Sequence, residues 1–333
     1  MKKFLTLVCG LIISVVAVFG TGCNNSKFNG LTFYAPDGAP ALAIAKFIND
    51  SENFGIEKEF QYNVVSAGDI GTVMAKGEGD FIVMPVNLAS KLYNSKADSP
   101  YVMTSVITHG NLYLMSSEGV STLEGFIGKV IGVIGQGAVP DLTLKAIFSD
   151  YGLLDKVQVN DTATEGKISL LYFDKAKDMI PLLKQGKLTA GLLPEPACTN
   201  LTIVANNREW TRIDVQELYD EQVKSYPQAV LMVKKSVYEQ YKDNIDGMGE
   251  LFSANVQWVK DNTTLAVNAV NSRLKEGLTA SLDASKITAT VVDNCKIYYE
   301  QASFAKLSVN AYINKIRAIN VQSANVVGED FFA

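Results

Sequence analysis

A chain of 333 residues, 47% hydrophobic and 20% charged, has the composition of a folded globular protein and room for about two domains of roughly 150 residues. Its 30 Lys and Arg against 35 Asp and Glu give a net charge of -5 with no basic block, which argues against nucleic acid as a partner. A single histidine, His109, excludes a multi-histidine metal site and leaves a Ser-His-Asp hydrolase one choice of base.

Residues 1–22 read as an export signal: Lys2 and Lys3, an apolar run of 16 residues from Phe4 to Phe19, then small residues up to Cys23. The run is shorter than the ~20 residues of a membrane span. Small residues directly before Cys23 resemble the lipobox of bacterial lipoproteins, with Gly20 standing where that motif usually has Leu. The resemblance implies cleavage before Cys23 and acylation of its sulfur. The exported protein would then be anchored through residues 23–28 to a membrane, facing the periplasm or the cell exterior. Cys198 and Cys295 remain as two buried thiols or as a bridge, since disulfides persist outside the cytoplasm.

The chain then states one plan twice. Strand-like Leu31–Ala35 runs into Pro36-Asp37-Gly38-Ala39-Pro40 and a helical stretch from Ala43 to Asn49; strand-like Val130–Ile134 runs into Gly135-Gln136-Gly137-Ala138-Val139-Pro140 and a helix from Thr143 to Tyr151. Pro suits a first helical turn because its missing N–H would be unpaired there, and Gly permits the tight turn before it. A second pair follows in the same order. Helix Asp69–Ala75 leads through Gly77 and Gly79 to strand Phe81–Met84 and Pro85, and helix Asp174–Gln185 leads through Gly186 to strand Leu188–Leu193 and Pro194. Short apolar strands alternating with helices predict parallel sheets covered on both faces, hence two α/β lobes. Met103–Ser116 and Tyr226–Val233 are the expected connections between them, forming a hinge, and residues 236–320 are mostly helical in pattern and expected to pack on the first lobe. This assigns 29–108 plus 230–333 to lobe I, and 109–229 to lobe II with the hinge crossings.

Ala35-Pro36-Asp37-Gly38-Ala39-Pro40, Lys76-Gly77-Glu78-Gly79-Asp80, Leu123–Val133 and Gly191-Leu192-Leu193-Pro194-Glu195-Pro196 occur in that order, with Gly328-Glu329-Asp330-Phe331-Phe332 at the end. In this the chain resembles the type II periplasmic binding proteins of the nitrate/sulfonate/taurine and thiamine-precursor (NMT1/THI5-like) group, over nearly the whole of the chain after the signal. The resemblance implies a monomeric substrate-binding lipoprotein that closes over a small-molecule solute and delivers it to an ABC permease and its ATPase, with no cofactor or metal. A receptor for sensing rather than transport is the alternative within the same fold.

Ligands of open α/β sheets sit beyond the carboxyl ends of the strands, where helix N-termini offer unpaired N–H groups. That rule selects Asp37, Gly38, Ala39, Ser66, Asn87, Gln136, Gly137, Ala138 and Glu195. His109 lies in the hinge. Tyr34, Tyr113 and Tyr226 lie near the cleft, able to stack on a flat ligand or to serve the core, while Trp210 and Trp258 read as packing. Gly132-x-x-Gly135-x-Gly137 is not a dinucleotide loop, and the chain has no Gly-x-Ser-x-Gly and no P-loop. The superfamily includes a pyrimidine synthase with a cysteine-rich motif, which two remaining cysteines do not reproduce, so an enzyme is not expected. Asp37 and Glu195, with no Arg or Lys among the selected positions, would repel an anion. The sequence thus favours a neutral or weakly cationic heterocycle, such as a pyrimidine or another vitamin precursor, over a sulfonate or nitrate.

Overall fold

A computed structural model describes residues 28–95, 98–205 and 207–333; the expected signal, and Cys23 with it, lie outside these. Two six-stranded sheets form the frame. In lobe I, β1 (Leu31–Pro36), β2 (Phe60–Val65) and β3 (Phe81–Pro85) are parallel, and β4 (Tyr101–His109) follows. In lobe II, β5 (Leu112–Ser116), β6 (Lys129–Ile134), β7 (Val157–Val159), β8 (Ile168–Phe173), β9 (Ala190–Pro194) and β10 (Thr211–Asp214) share the second sheet. The chain then returns through β11 (Pro227–Lys234) and adds β12 (Ile297–Gln301) to the first.

The sheet orders are β12-β4-β11-β3-β1-β2 and β10-β5-β9-β6-β8-β7. Each lobe therefore takes in a strand that has just crossed from the other lobe: β11 lies between β3 and β4, and β5 between β9 and edge strand β10. The echo in the sequence is this shared topology. β4 is buried at all nine positions because helices cover both faces of its sheet, and it carries Thr104, Ser105, Thr108 and His109 into that interior among its apolar residues.

The lobes join twice, at neighbouring places. Gly110 and Asn111 separate β4 from β5, so the segment Met103–Ser116 is two strands of different sheets rather than one connector. The return enters β11 at Pro227, which pairs with His109. Gly110 is fixed by space: a Cβ there would stand 2.3 Å from Cε1 of Tyr226.

The aromatic core of lobe I stacks Phe33 on Phe81 (5.5 Å between centroids) and on Tyr62 (5.6 Å). A second apolar cluster is continuous between the lobes, from Met84 and Val106 through Tyr226 and Tyr312 to Leu114, Ile131 and Leu144. Its bridge adds a lobe II contact to the expectation that residues 236–320 pack on lobe I. The C-terminal helix Ala302–Ile319 covers β4 and β11, then reaches lobe II, where the Tyr312 and Thr143 hydroxyls are 2.8 Å apart and Lys315 pairs with Asp150 at 2.6 Å. Beyond it the tail runs along the helix Val86–Tyr93. Asn87 Nδ2 and Asn94 Nδ2 donate to the carbonyls of Ser323 and Val326, Ser90 Oγ accepts from Asn325 N–H, and Phe331 is buried. Cys198 and Cys295 are both buried free thiols, in different lobes.

Candidate functional site

The carboxyl ends of β1, β2 and β3 face those of β6, β8 and β9 across the two crossings, so the space between the lobes is bounded by strand ends on both sides. On the lobe I side, Gly38 has φ 109° and ψ −146°, a region that glycine alone occupies readily, and its carbonyl accepts from Ala41 and Leu42 N–H. Ala39 begins the short helix Ala39–Leu42. Asp37 accepts the Ser281 N–H on Oδ2 at 2.8 Å, while its Oδ1 is buried without a partner among the described residues. The Ser281 loop borders the site by running along the end of β2, where Lys275 N–H donates to the Val64 carbonyl.

On the lobe II side, Gln136, Gly137 and Ala138 are exposed at the start of the helix Val139–Asp150. Gly135 and Gly137 adopt φ of 68° and 75°, which explains both glycines of the turn. The helix terminus carries its own counter-charge: buried Asp141 accepts from Gly137 N–H at 2.8 Å and from the Tyr172 hydroxyl at 2.6 Å, and pairs with Lys145. An anion arriving there meets a carboxylate already in place.

Several expected ligand contacts have other duties. Glu195 is 1% exposed and its carboxylate is occupied: Arg212 lies at 2.9 Å, and Thr199 donates its N–H (3.1 Å) and its hydroxyl (2.9 Å). Ser66 Oγ accepts from Asp69 N–H, capping the turn before helix Ile70–Lys76. Asn87 holds the C-terminal tail. Tyr34 packs beside Gly79, ahead of β3 and so at the end of the sheet remote from the cleft, where burial raises its hydroxyl pKa. Tyr226 is closed in by Gly110 and stacks on Tyr312 at 5.5 Å with 9° between planes, leaving no ring face for a ligand. These five placements share a cause: a strand end is also where a helix begins and a hinge packs, and both engage polar and aromatic side chains.

Basic residues do reach this region, contrary to the sequence reading. Arg212, on edge strand β10, lies over the Tyr113 ring at 3.5 Å from its centroid and keeps about a third of its side chain exposed (31%). Burial pushes the Tyr113 hydroxyl up to about 12. Lys275 reaches Asp69 at 3.3 Å. Each cation is matched to an acid, so neither leaves a bare positive charge. Arg212 escaped notice because a lone Arg on a short half-exposed strand has no motif, and only the sheet order brings it beside Glu195.

The first crossing holds the remaining polar groups. His109 is 3% exposed, stacks on Tyr298 with centroids 3.4 Å apart and directs Nε2 toward Glu300 Oε2 at 3.3 Å. Burial lowers its pKa, and the Glu300 carboxylate opposes that shift. Asn111 Nδ2 donates to the Glu195 carbonyl, and Glu195 N–H donates back to the Asn111 carbonyl, fixing the crossing to the end of β9. A hollow of about 220 Å³ lined in part by Glu118, Lys129, Asp161 and Lys187 opens at the other end of lobe II and holds none of these groups.

The chain thus has the two-lobed α/β fold of the periplasmic binding proteins, with the type II strand order in both lobes. It is similar to an ABC transporter structure from Parabacteroides distasonis, with TM-score 0.72 and 19% identity over 91% of this chain and 98% of that one. It is also similar to the periplasmic aliphatic sulphonate binding protein SsuA from Escherichia coli (0.63, 13%, covering 90% and 95%). A third likeness is to the ligand binding component of an ABC-type import system from Staphylococcus aureus, with zinc bound (0.61, 11%, 91% and 96%). Among the described residues no three His, Cys, Asp or Glu side chains gather as metal ligands would. No family model matches the chain, and no curated protein matches it.

Proposed function

We propose that the protein is an extracytoplasmic receptor that closes over a small solute and delivers it to an ABC importer, its mature form tethered to a membrane by acylated Cys23. The observation that carries this reading is the pair of equivalent sheets whose strand ends face each other across two adjacent crossings. Such a body binds by lobe closure and has no need of covalent chemistry. Its solved structural neighbours include binding components of ABC systems, among them the sulphonate binding protein of E. coli.

For the solute, a neutral or weakly cationic heterocycle remains the preferred class. The support has changed from that available in the sequence: Glu195 is matched to Arg212 and Asp141 to Lys145, so neither carboxylate argues against an anion by its charge, whereas the Gly137 N–H at the lobe II helix terminus is already taken by Asp141 and is not free for one. A sulfonate is the second reading, favoured by the exposed part of Arg212.

Thermal melting in the presence of candidate solutes tests the receptor reading, because a solute that binds only the folded form raises Tm by mass action. The expected result is a concentration-dependent rise with the solute recovered unchanged. Chemical turnover of the bound solute overturns it. Membrane fractionation of Cys23→Ser tests the anchor: the variant is expected in the soluble fraction or as unprocessed precursor, and normal cleavage with unchanged membrane attachment refutes it.

A further inference from the structure

Three of the four residues at the first crossing, Thr108 to Asn111, bury a polar side-chain atom with no partner among the described residues: Thr108 Oγ1, His109 Nδ1 and Asn111 Oδ1. Their parent residues are 1%, 3% and 1% exposed. The second crossing adds Gln228 Oε1, an unpartnered atom shielded from solvent on a half-buried residue. The two crossings are neighbours, with His109 paired to Pro227 and Thr108 to Ala229, so Gln228 lies one strand spacing away. Buried polar atoms are rarely left unpaired, and each one calls for an explanation. Four lie on adjacent crossings where two lobes meet, with Thr108 and His109 on opposite faces of β4.

Their polarity is what informs. Asn111 is oriented by its Nδ2 bond to the Glu195 carbonyl, which leaves Oδ1 as an acceptor. His109 turns Nε2 to the Glu300 carboxylate, so the neutral ring carries its proton there and Nδ1 presents a lone pair. Thr108 Oγ1 can accept as well. On the lobe I side, Asp37 Oδ1 adds a carboxylate oxygen. Arg212, the nearby cation in lobe II, has its charge matched by Glu195.

We infer that the hinge is a hydrogen-bond-accepting floor, with Asn111 and Gln228 as specificity-determining residues for a solute presenting at least two N–H donors, such as an amidine, a guanidine or an amino-substituted ring. The inference rests on the receptor reading and deepens it: acceptors select donors, and a site of unpaired acceptors rejects a solute lacking them by leaving those atoms buried and unsatisfied.

Calorimetric titration with 2,4-diaminopyrimidine and agmatine, against the donor-free methanesulfonate, tests it. At least one donor-bearing probe is expected to bind and methanesulfonate to fail. Asn111→Leu and Gln228→Leu are each expected to weaken binding by about tenfold or more, the effect of leaving one donor unpaired. Thr108→Val, which preserves shape and removes only Oγ1, guards against a variant that misfolds and is expected to weaken binding in the same direction. Binding of methanesulfonate alone, or donor-probe binding unaffected in every variant that folds, overturns the inference and leaves the receptor reading standing. Where none of the probes binds, mass spectrometry of solute released from protein purified without refolding decides. A solute with two or more N–H donors supports the inference, one with fewer overturns it alone, and no solute overturns the receptor reading as well.

Discussion

Arg212 and Glu195 form an ion pair that joins edge strand β10 to the end of β9 beneath the cleft, with 2.9 Å between Nη1 and Oε1 and the Glu195 side chain wholly buried. A carboxylate so enclosed depends on its partners more than they depend on it. Arg212→Met strips the cation from a buried anion and is expected to cost about 3 kcal/mol. Glu195→Gln keeps an acceptor for Thr199 and Arg212, and is expected to cost about 1 kcal/mol. Urea denaturation of both variants gives the order, and an Arg212 variant no less stable than the Glu195 variant contradicts it.

The hinge depends on the absence of a side chain at Gly110. Gly110→Ala forces a methyl into the Tyr226 ring, which Tyr312 holds from the other side, and is expected to destabilise by about 2 kcal/mol. Adding Tyr226→Leu should recover part of that loss. A double variant whose loss equals the sum of its singles would show the two residues to be independent.

The tail beyond residue 320 is a fastening for lobe I. Phe331→Ala empties a buried aromatic site and is expected to cost about 4 kcal/mol. Asn87→Ala removes one tail bond and is expected to cost about 1 kcal/mol without altering solute affinity. A marked loss of affinity in Asn87→Ala returns that residue to the ligand site.

His109 sets a pH dependence that is easy to assign, since the chain has no other histidine. Its folded pKa lies below its unfolded value of about 6.5, so below that pH the unfolded chain takes up a proton that the folded one refuses. Stability is therefore full above about pH 6.5 and falls as pH drops toward the folded pKa, with a slope of at most about 1.4 kcal/mol per pH unit. Urea midpoints between pH 5 and 7.5 should decline for the wild type and flatten for His109→Gln. Equal slopes would assign the decline to carboxylates.

The fold was legible because its signals are local. Gly38 before Pro40 and Gly137 before Pro140 mark the same strand-to-helix turn in each lobe, and buried parallel strands write themselves as apolar runs. The segment Met103–Ser116 was legible as a connection, but not that β4 and β5 lie in different sheets, since each is a run of buried residues that only pairing partners tell apart. The candidate site was less legible, for a physical reason. Whether Glu195 faces a ligand or an arginine depends on Arg212, 17 positions away on a strand whose neighbour is β5. Tyr226 reads as a cleft aromatic until Gly110 and Tyr312 enclose it. Asn111, which the hinge motif contained, shows its interest only as a buried oxygen without a partner.

The C-terminal helix bears on how such a body moves. Tyr312 touches both the Tyr226 crossing and Thr143 of lobe II, so the lobes have a third fastening beside their two peptide links. Two adjacent links alone would let the lobes open like a book. With a helix lying across the spine, opening must slide Tyr312 and Lys315 over the helix Val139–Asp150 or carry the whole C-terminal helix along with lobe II. Any closure of the lobes is thus a shear as much as a bend, resisted by that buried interface as well as by the crossings.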